Sequence, residues 1–384
     1  MDPQSYSQLK QEIAGRIAAD RSLLEQLRAE IHPLKSQVHR IHERTTTSVS
    51  FVATDGGNTS IQFDPFLVQI VRIVDSNKNE YCLEAITPTT DIADLSAKQF
   101  HTDGSARTAL GNLMHYLGVS SLQELSPYIR GITKNRPISP GWVKVYRELV
   151  EWAILFSLVK YPFGSDTLII YDGLLRSTIF AGNFFQKYLQ GIQESIELQK
   201  QQSRRNISLA GVAKHSKILS RYRLAMSLED ILTTHYPAYL AIPPDIEQMA
   251  YKWSAYASSS DANSSDMNLE RGNLHTFVGG KMYFVKFGSG TRDPIWPVDI
   301  FLPQHDKAAE ILGCMLADAL NGFPIPLYPM SLQKAHANAA LMDFDLDILQ
   351  NYIFDGIRQV LAEEAATLDI FRLQEADPSQ RRYD

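Results

Sequence analysis

Two apolar segments of this chain each run into an acid followed by glycine. Residues 48–54 (SVSFVAT) lead into Asp55-Gly56-Gly57, and residues 167–171 (TLIIY) lead into Asp172-Gly173-Leu174-Leu175. Both segments read as strands, and the glycine after each acid reads as a sharp turn where the strand leaves the sheet. Packing does not require a carboxylate at a strand end. Two of them on neighbouring strands would hold a hard divalent cation, the requirement of metal-assisted phosphoryl transfer. The acids lie 117 residues apart, so only the fold can join them.

Other residues fit the same chemistry. Glu151 sits among Val150, Trp152, Ala153, Ile154 and Leu155. A carboxylate in such surroundings is costly unless it meets a cation, a donor or a metal. A pair with Arg147, one helical turn back, is the plain explanation; beside two strand-end aspartates, a third metal ligand is the favoured one. Glu148 lies on the same helix face, which leaves the helix ligand ambiguous. Lys214 in Gly211-Val212-Ala213-Lys214 follows a predicted strand at 207–212, where it can neutralise a phosphate or a developing oxyanion. His336 stands at the start of a predicted helix; as a fourth ligand it would favour manganese over a purely hard cation. Between Lys200 and Arg223 there are seven basic residues and no acid. Of these, Arg204, Arg205, Lys214, Lys217 and Arg221 are the predicted phosphate-contacting set.

The elements that must position these groups follow a mixed α/β pattern. Residues 6–44 read as a helix with a seam of Leu24, Leu27, Ile31, Leu34, Val38 and Ile41, interrupted at Pro33. That seam would pack on its own domain or form a dimer or partner contact. Three strands follow between 49 and 86, with a hairpin turn at 75–79, predicting an antiparallel meander. Helices are expected at 110–125, 142–160, 180–202, 306–321, 334–341 and 345–361. Further strands are expected at 276–287, as a hairpin around Gly279-Gly280, and at 299–302. Residues 258–268 (SSSDANSSDMN) read as a mobile loop, and 374–384 as a frayed tail. The chain divides into an N-terminal helical segment, 1–45, and one domain, 46–384.

Of 384 residues, 44% are hydrophobic and 21% charged, a globular composition. The formal net charge of −6 means that any nucleic-acid binding must come from a local basic surface. Two cysteines, Cys82 and Cys314, exclude multi-cysteine zinc and iron–sulfur sites. No apolar stretch is long enough to span a bilayer, so a cytoplasmic location without membrane contact is expected. Asp343, Asp345 and Asp347 alternate as in a calcium loop but lack its glycine and distal glutamate. No phosphate-binding loop of the GxxxxGK[ST] kind is present, so the chain is not expected to hydrolyse ATP.

In order, the motifs resemble the NurA nuclease family: Asp55-Gly56, Arg147-x-x-x-Glu151, Tyr171-Asp172-Gly173-Leu174-Leu175, Gly211-Val212-Ala213-Lys214, and Tyr328-Pro329 followed by Ala335-His336-Ala337. The resemblance spans roughly residues 45–345. It implies a ribonuclease H-like mixed sheet flanked by helices, with an N-terminal helical extension. It also implies a manganese- or magnesium-dependent deoxyribonuclease that degrades 5′ to 3′, cuts single strands and resects ends in double-strand break repair. The implied partners are DNA, a HerA-type hexameric ATPase and a second copy of the chain. Carried over, Asp55, Glu151, Asp172 and His336 are the metal ligands and Lys214 is a phosphate contact. One departure is Asp-Gly-Gly in the first motif where the family pattern has Asp-Gly-Ser. The alternative is a non-catalytic DNA-binding adaptor of a hexameric DNA-pumping ATPase. An RNA-directed nuclease on the same core is a weaker option, because no determinant for the 2′-hydroxyl is evident.

Overall fold

The computed structural model describes residues 3–44, 49–63, 66–130, 141–257, 277–340 and 343–361. Its β-branched and aromatic runs form nine strands: β1 (His39–Arg40), β2 (Val49–Phe63), β3 (Phe66–Asp75), β4 (Glu80–Ile86), β5 (Asp166–Asp172), β6 (Ile207–Val212), β7 (Ala238–Ala241), β8 (Gly280–Lys286) and β9 (Ile295–Phe301). They make one sheet in the order β1-β7-β8-β9-β6-β5-β2-β3-β4. The centre is parallel, with β5 between β2 and β6. Both flanks are antiparallel, and β2-β3-β4 is the predicted meander.

One expectation at the first acid is corrected. β2 does not turn at Asp55-Gly56-Gly57 but continues through it to Phe63. The reason is the ladder: β3 pairs with β2 from Thr54↔Asp75 to Phe63↔Phe66, so the glycine backbone keeps a strand partner. What ends near Asp55 is the pairing with β5, whose last register pair is Thr54↔Tyr171. The hairpin expected around Gly279-Gly280 is also displaced. Gly280 opens β8, and the hairpin is the β8–β9 pair closed by residues 287–294. Residues 258–276 and 362–384, with the predicted mobile loop and tail, lie outside the described residues.

Helices cover both faces. α1 (Pro3–Ala19) precedes them and is exposed; on one face lie α2 (Arg21–Ile31), α3 (Ile92–Ala97), α4 (Ala109–Leu117), α5 (Leu122–Leu125), α6 (Trp142–Leu158), α7 (Phe184–Ser203), α8 (Lys217–Leu228) and α9 (Pro244–Ala257). On the other lie α10 (Ala308–Ala319) and α11 (Met330–Ala339); α12 (Asp343–Leu361) follows. The alternation of β5 divides the core. Ile169 and Tyr171 pack with Trp152, Phe156, Phe185 and Tyr188, whereas Leu168 and Ile170 pack with Leu312, Met315, Leu332 and Ala335.

The N-terminal seam faces inward. α2 stops at Ile31, and a 3-10 turn (His32–Gln37) with Pro33 in its first positions redirects the chain into β1. Ile31 and Leu34 are buried against Leu219, Tyr222 and Met226 of α8. Arg221 of α8 pairs with Glu30 at 3.7 Å, and Arg28 reaches Glu229 at 2.6 Å. α1 instead leaves an apolar stripe in solvent: Tyr6, Leu9, Ile13 and Ile17 are exposed.

Candidate active site

Asp172 ends β5 on the face of Leu168 and Ile170, the face covered by α10 and α11. Its Oδ1 accepts from the Tyr328 hydroxyl at 3.2 Å, and its Oδ2 meets Lys214 Nζ at 3.4 Å. Both partners are positioned by their own elements. Lys214 stands two residues beyond β6, where Ala213 N–H donates to Pro297 of β9. Tyr328 is buried against Trp296, at 4.8 Å between ring centroids, just before α11. Gln333 locks that approach: its side chain donates to the carbonyls of Ile325 and Tyr328 and accepts from Ile325 N–H. Trp296 Nε1 donates to Leu327 O at 2.7 Å.

Two glycines let the chain leave β5 beside Asp172. Gly173 has φ +144°, and its N–H donates to Val212 O at 2.8 Å. Gly211 lies under the Gly173 carbonyl so closely that a Cβ would sit 2.4 Å from that oxygen. Next, Leu175 N–H donates to Asp299 Oδ2 at 3.1 Å. The Arg176 guanidinium grips both Asp299 oxygens, at 2.7 and 2.8 Å, and also pairs with Glu247 of α9. Asp299 and Glu247 are buried, so this clamp fixes the loop after Asp172 from inside the protein. Burial pushes the Glu247 carboxyl up despite the opposing pull of Arg176.

Asp55 stands one residue past the last β2–β5 pair. Continuing that register puts its backbone opposite Asp172 on the adjacent parallel strand. Its side chain lies outside the described residues. α11 packs over β2 and β3 at the same level: Asn338 donates to Asp75 O at 3.1 Å, and Asp75 is the register partner of Thr54. His336, exposed on that helix, is therefore carried over the strand pair that contains Asp55.

The two glutamates of α6 lie on the other face, that of Tyr171. Glu151 Oε1 pairs with Arg147 Nε at 3.1 Å, and its Oε2 accepts from the Tyr171 hydroxyl at 3.3 Å. The plain explanation for this buried acid is therefore satisfied, with a tyrosine added. Glu148 accepts from Trp152 Nε1 at 3.3 Å and Ser177 Oγ at 3.1 Å, and burial raises its pKa. Tyr171 is raised well above the usual tyrosine range by burial first, then by Glu151 and Glu148. Among the described residues, no three of His, Cys, Asp and Glu are grouped to hold a metal ion.

The basic stretch is not one surface. Lys214 and Lys217 follow the β6 exit, and Lys214 reaches Asp172. Arg204 and Arg205 precede β6 and so stand at the opposite edge of the sheet. Arg221 is turned inward to Glu30, with only 11% of its side chain exposed. Tyr328 is the site residue missing from the sequence-derived set. Its tyrosine-proline motif was visible, but nothing in the sequence tied its hydroxyl to an acid 156 residues away.

No protein-family model matches the chain, and no curated protein matches it. Among solved structures, the fold is similar to the NurA nuclease from Sulfolobus solfataricus, at 14% identity over 94% of this chain and 99% of that one, with a TM-score of 0.39. It is likewise similar to a second NurA structure (13% identity, 93% and 98% covered, TM-score 0.38) and to NurA with manganese (12%, 91% and 98%, 0.37). Their family is the one that the ordered motifs resemble. No described helix is long and apolar enough to cross a membrane.

Proposed function

We propose that this chain is a metal-dependent nuclease acting on DNA, with its centre on Asp55 and Asp172. The observation that supports this most is the parallel β2–β5 register, which runs out at Thr54↔Tyr171 with an acid next in line on each strand. Acids on the first strand of a meander and on its parallel neighbour also support the ribonuclease H-like reading. The donor set suits a hard divalent cation: carboxylate oxygens, with the Asp172 oxygens oriented by Tyr328 and Lys214. We assign manganese, with magnesium as the alternative, to Asp55 and Asp172, with His336 as a further ligand; Glu151, held on the opposite face by Arg147 and Tyr171, would join them only by leaving those partners and passing the end of β5. When bound, such an ion lowers the pKa of a coordinated water and stabilises charge on the leaving oxygen.

The chain's own groups would do the rest. Lys214 is 37% exposed in its pair with Asp172, an arrangement worth about 0–1 kcal/mol. It can therefore exchange the aspartate for a substrate phosphate at little cost and stabilise the developing charge there. Tyr328 keeps Asp172 aligned while that exchange occurs. Arg147 and Tyr171 hold the two oxygens of Glu151 in place. No covalent intermediate is required, and contact through phosphates makes binding independent of sequence and steeply salt-dependent.

The finer reading is a 5′ to 3′ exonuclease and single-strand endonuclease for end resection in double-strand break repair. It would act in the cytoplasm as a homodimer beside a HerA-type hexameric ATPase. The test is cleavage of end-labelled single- and double-stranded DNA with manganese, magnesium or chelator, comparing wild type with Asp172→Asn. Metal-dependent cleavage lost in the variant is expected; equal cleavage by the variant removes the assignment. The second reading, a non-catalytic adaptor, is favoured by the exposed Tyr6, Leu9, Ile13 and Ile17 stripe of α1, a face suited to a protein partner. No cleavage by wild type, alone or with a HerA-type partner, would select it.

A further inference from the structure

The edge of the sheet opposite Asp172 carries a surface that the catalytic reading leaves unused. Two loops meet there: the one from α6 to β5 and the one from α7 to β6. They are tied at two points. Gln199 Nε2 donates to Lys160 O at 2.9 Å, and Asn206 donates to Asp166 through its backbone at 2.9 Å and its side chain at 3.1 Å. The joined segments present three exposed cations, Lys200, Arg204 and Arg205, while the Lys160 ammonium is turned onto the Phe156 ring, 3.7 Å from its centroid. Beside Lys160 stand Tyr161, 58% exposed, and the half-buried Phe163, with ring centroids 5.0 Å apart in an edge-to-face pair. The acids facing this surface are Asp166, held by Asn206, and Glu197 one turn back on α7.

Arg204 adds a second observation. It closes α7 in the left-handed region, at φ 53°, a position that favours glycine. A long, exposed cation at that position carries backbone strain that a glycine would not.

We propose that this edge is a second nucleic-acid surface, one that holds a single strand leaving or approaching the site at Asp172. Cations give the backbone contact, and an exposed tyrosine gives a base a face to stack on, the combination used for unpaired strands. The seven residues of β5 set the separation from Asp172 at roughly 20 Å. That distance lies within the reach of a strand several nucleotides long. The inference rests on the nuclease reading for the class of ligand, not for any step of chemistry.

The test uses the full chain carrying Asp172→Asn, in chelator, with a fluorescent oligothymidylate of about 16 nucleotides. Anisotropy gives Kd across a salt series. Adding Arg204→Gly with Arg205→Ala removes two phosphate contacts and should lower the log–log salt slope by about 1.4. Because glycine suits the left-handed position, the fold should be kept, with an unchanged or higher Tm. Tyr161→Ala should weaken binding by at least about fivefold and leave the slope unchanged. An unchanged slope in the double variant, or unchanged affinity in Tyr161→Ala, overturns the proposal. So does competition by polyglutamate as strong as that of unlabelled oligonucleotide, which would make the edge an acidic-peptide surface. Cleavage by wild type with metal is measured in parallel. Binding that follows the prediction without cleavage sinks the catalytic reading alone, and cleavage without the predicted binding sinks this surface alone.

Discussion

Gly211→Ala tests whether the site depends on how closely β6 lies beneath the peptide that follows Asp172. An added Cβ would stand 2.4 Å from the Gly173 carbonyl oxygen and 3.2 Å from both Leu175 N and Cγ. That oxygen is backbone, held by the Gly173 N–H bond to Val212 and by the buried Arg176–Asp299 clamp, so no flexible side chain can move aside. Relief requires a shift approaching 1 Å in the segment carrying Asp172. Overpacking of this kind costs about 1–3 kcal/mol. At roughly 2.1 cal/mol/K per residue over the 384 residues, the unfolding entropy is about 0.8 kcal/mol/K, so Tm should fall by only ~1–4 °C. The effect on cleavage should be far larger, since a displacement of about 1 Å at reacting groups costs ~100-fold. The assay is manganese-dependent cleavage of end-labelled DNA beside thermal unfolding. Gly164→Ala is the control, because nothing lies within 4 Å of its Cβ position. Wild-type cleavage by Gly211→Ala would refute the dependence of the site on this crossing.

Three further outcomes follow from contacts around the same strand end. Lys214→Met should lower kcat/KM roughly 100-fold while changing stability by less than about 1 kcal/mol, read by cleavage kinetics and unfolding. Arg176→Met leaves Asp299 and Glu247 buried without their cation and should cost about 3–5 kcal/mol, measured by denaturant unfolding. Glu148→Gln keeps an acceptor for Trp152 and Ser177 but removes a carboxyl whose folded pKa burial has raised. The folded wild type holds that proton more tightly than the unfolded chain. Its stability therefore declines as pH rises from the unfolded value, about 4.3, through the raised one. The variant should be at least as stable as wild type at pH 7, with the difference vanishing below pH ~4. Retained cleavage would leave Glu151 as the helix ligand; lost cleavage would transfer that role to Glu148.

What the sequence made legible was local, and what it hid was the joining of distant segments. The β5 run TLIIY and its Asp-Gly exit could be read because alternation and a following glycine are properties of a few adjacent residues. The turn at Asp55 was misplaced by the same logic. Asp-Gly-Gly signals a turn only if no neighbouring strand holds the backbone, and β3 holds it as far as Phe63. The basic stretch misled in a related way. Six residues of β6 separate Arg205 from the exit at Lys214, so charges close in sequence belong to opposite edges of the sheet. Arg221 was hidden by its pairing with Glu30, 191 positions earlier. The most informative case is Glu151. Its burial was foreseen as requiring compensation, and Arg147 with Tyr171 supplies it. An acid so compensated is held in place without a metal. Any metal that takes this carboxylate must then displace an arginine and a tyrosine, whereas at Asp172 the lysine to be displaced is 37% exposed. The aspartate pair should therefore bind first, and the glutamate should tune affinity: Arg147→Met should strengthen manganese binding if Glu151 is a ligand and leave it unchanged if Glu151 is structural.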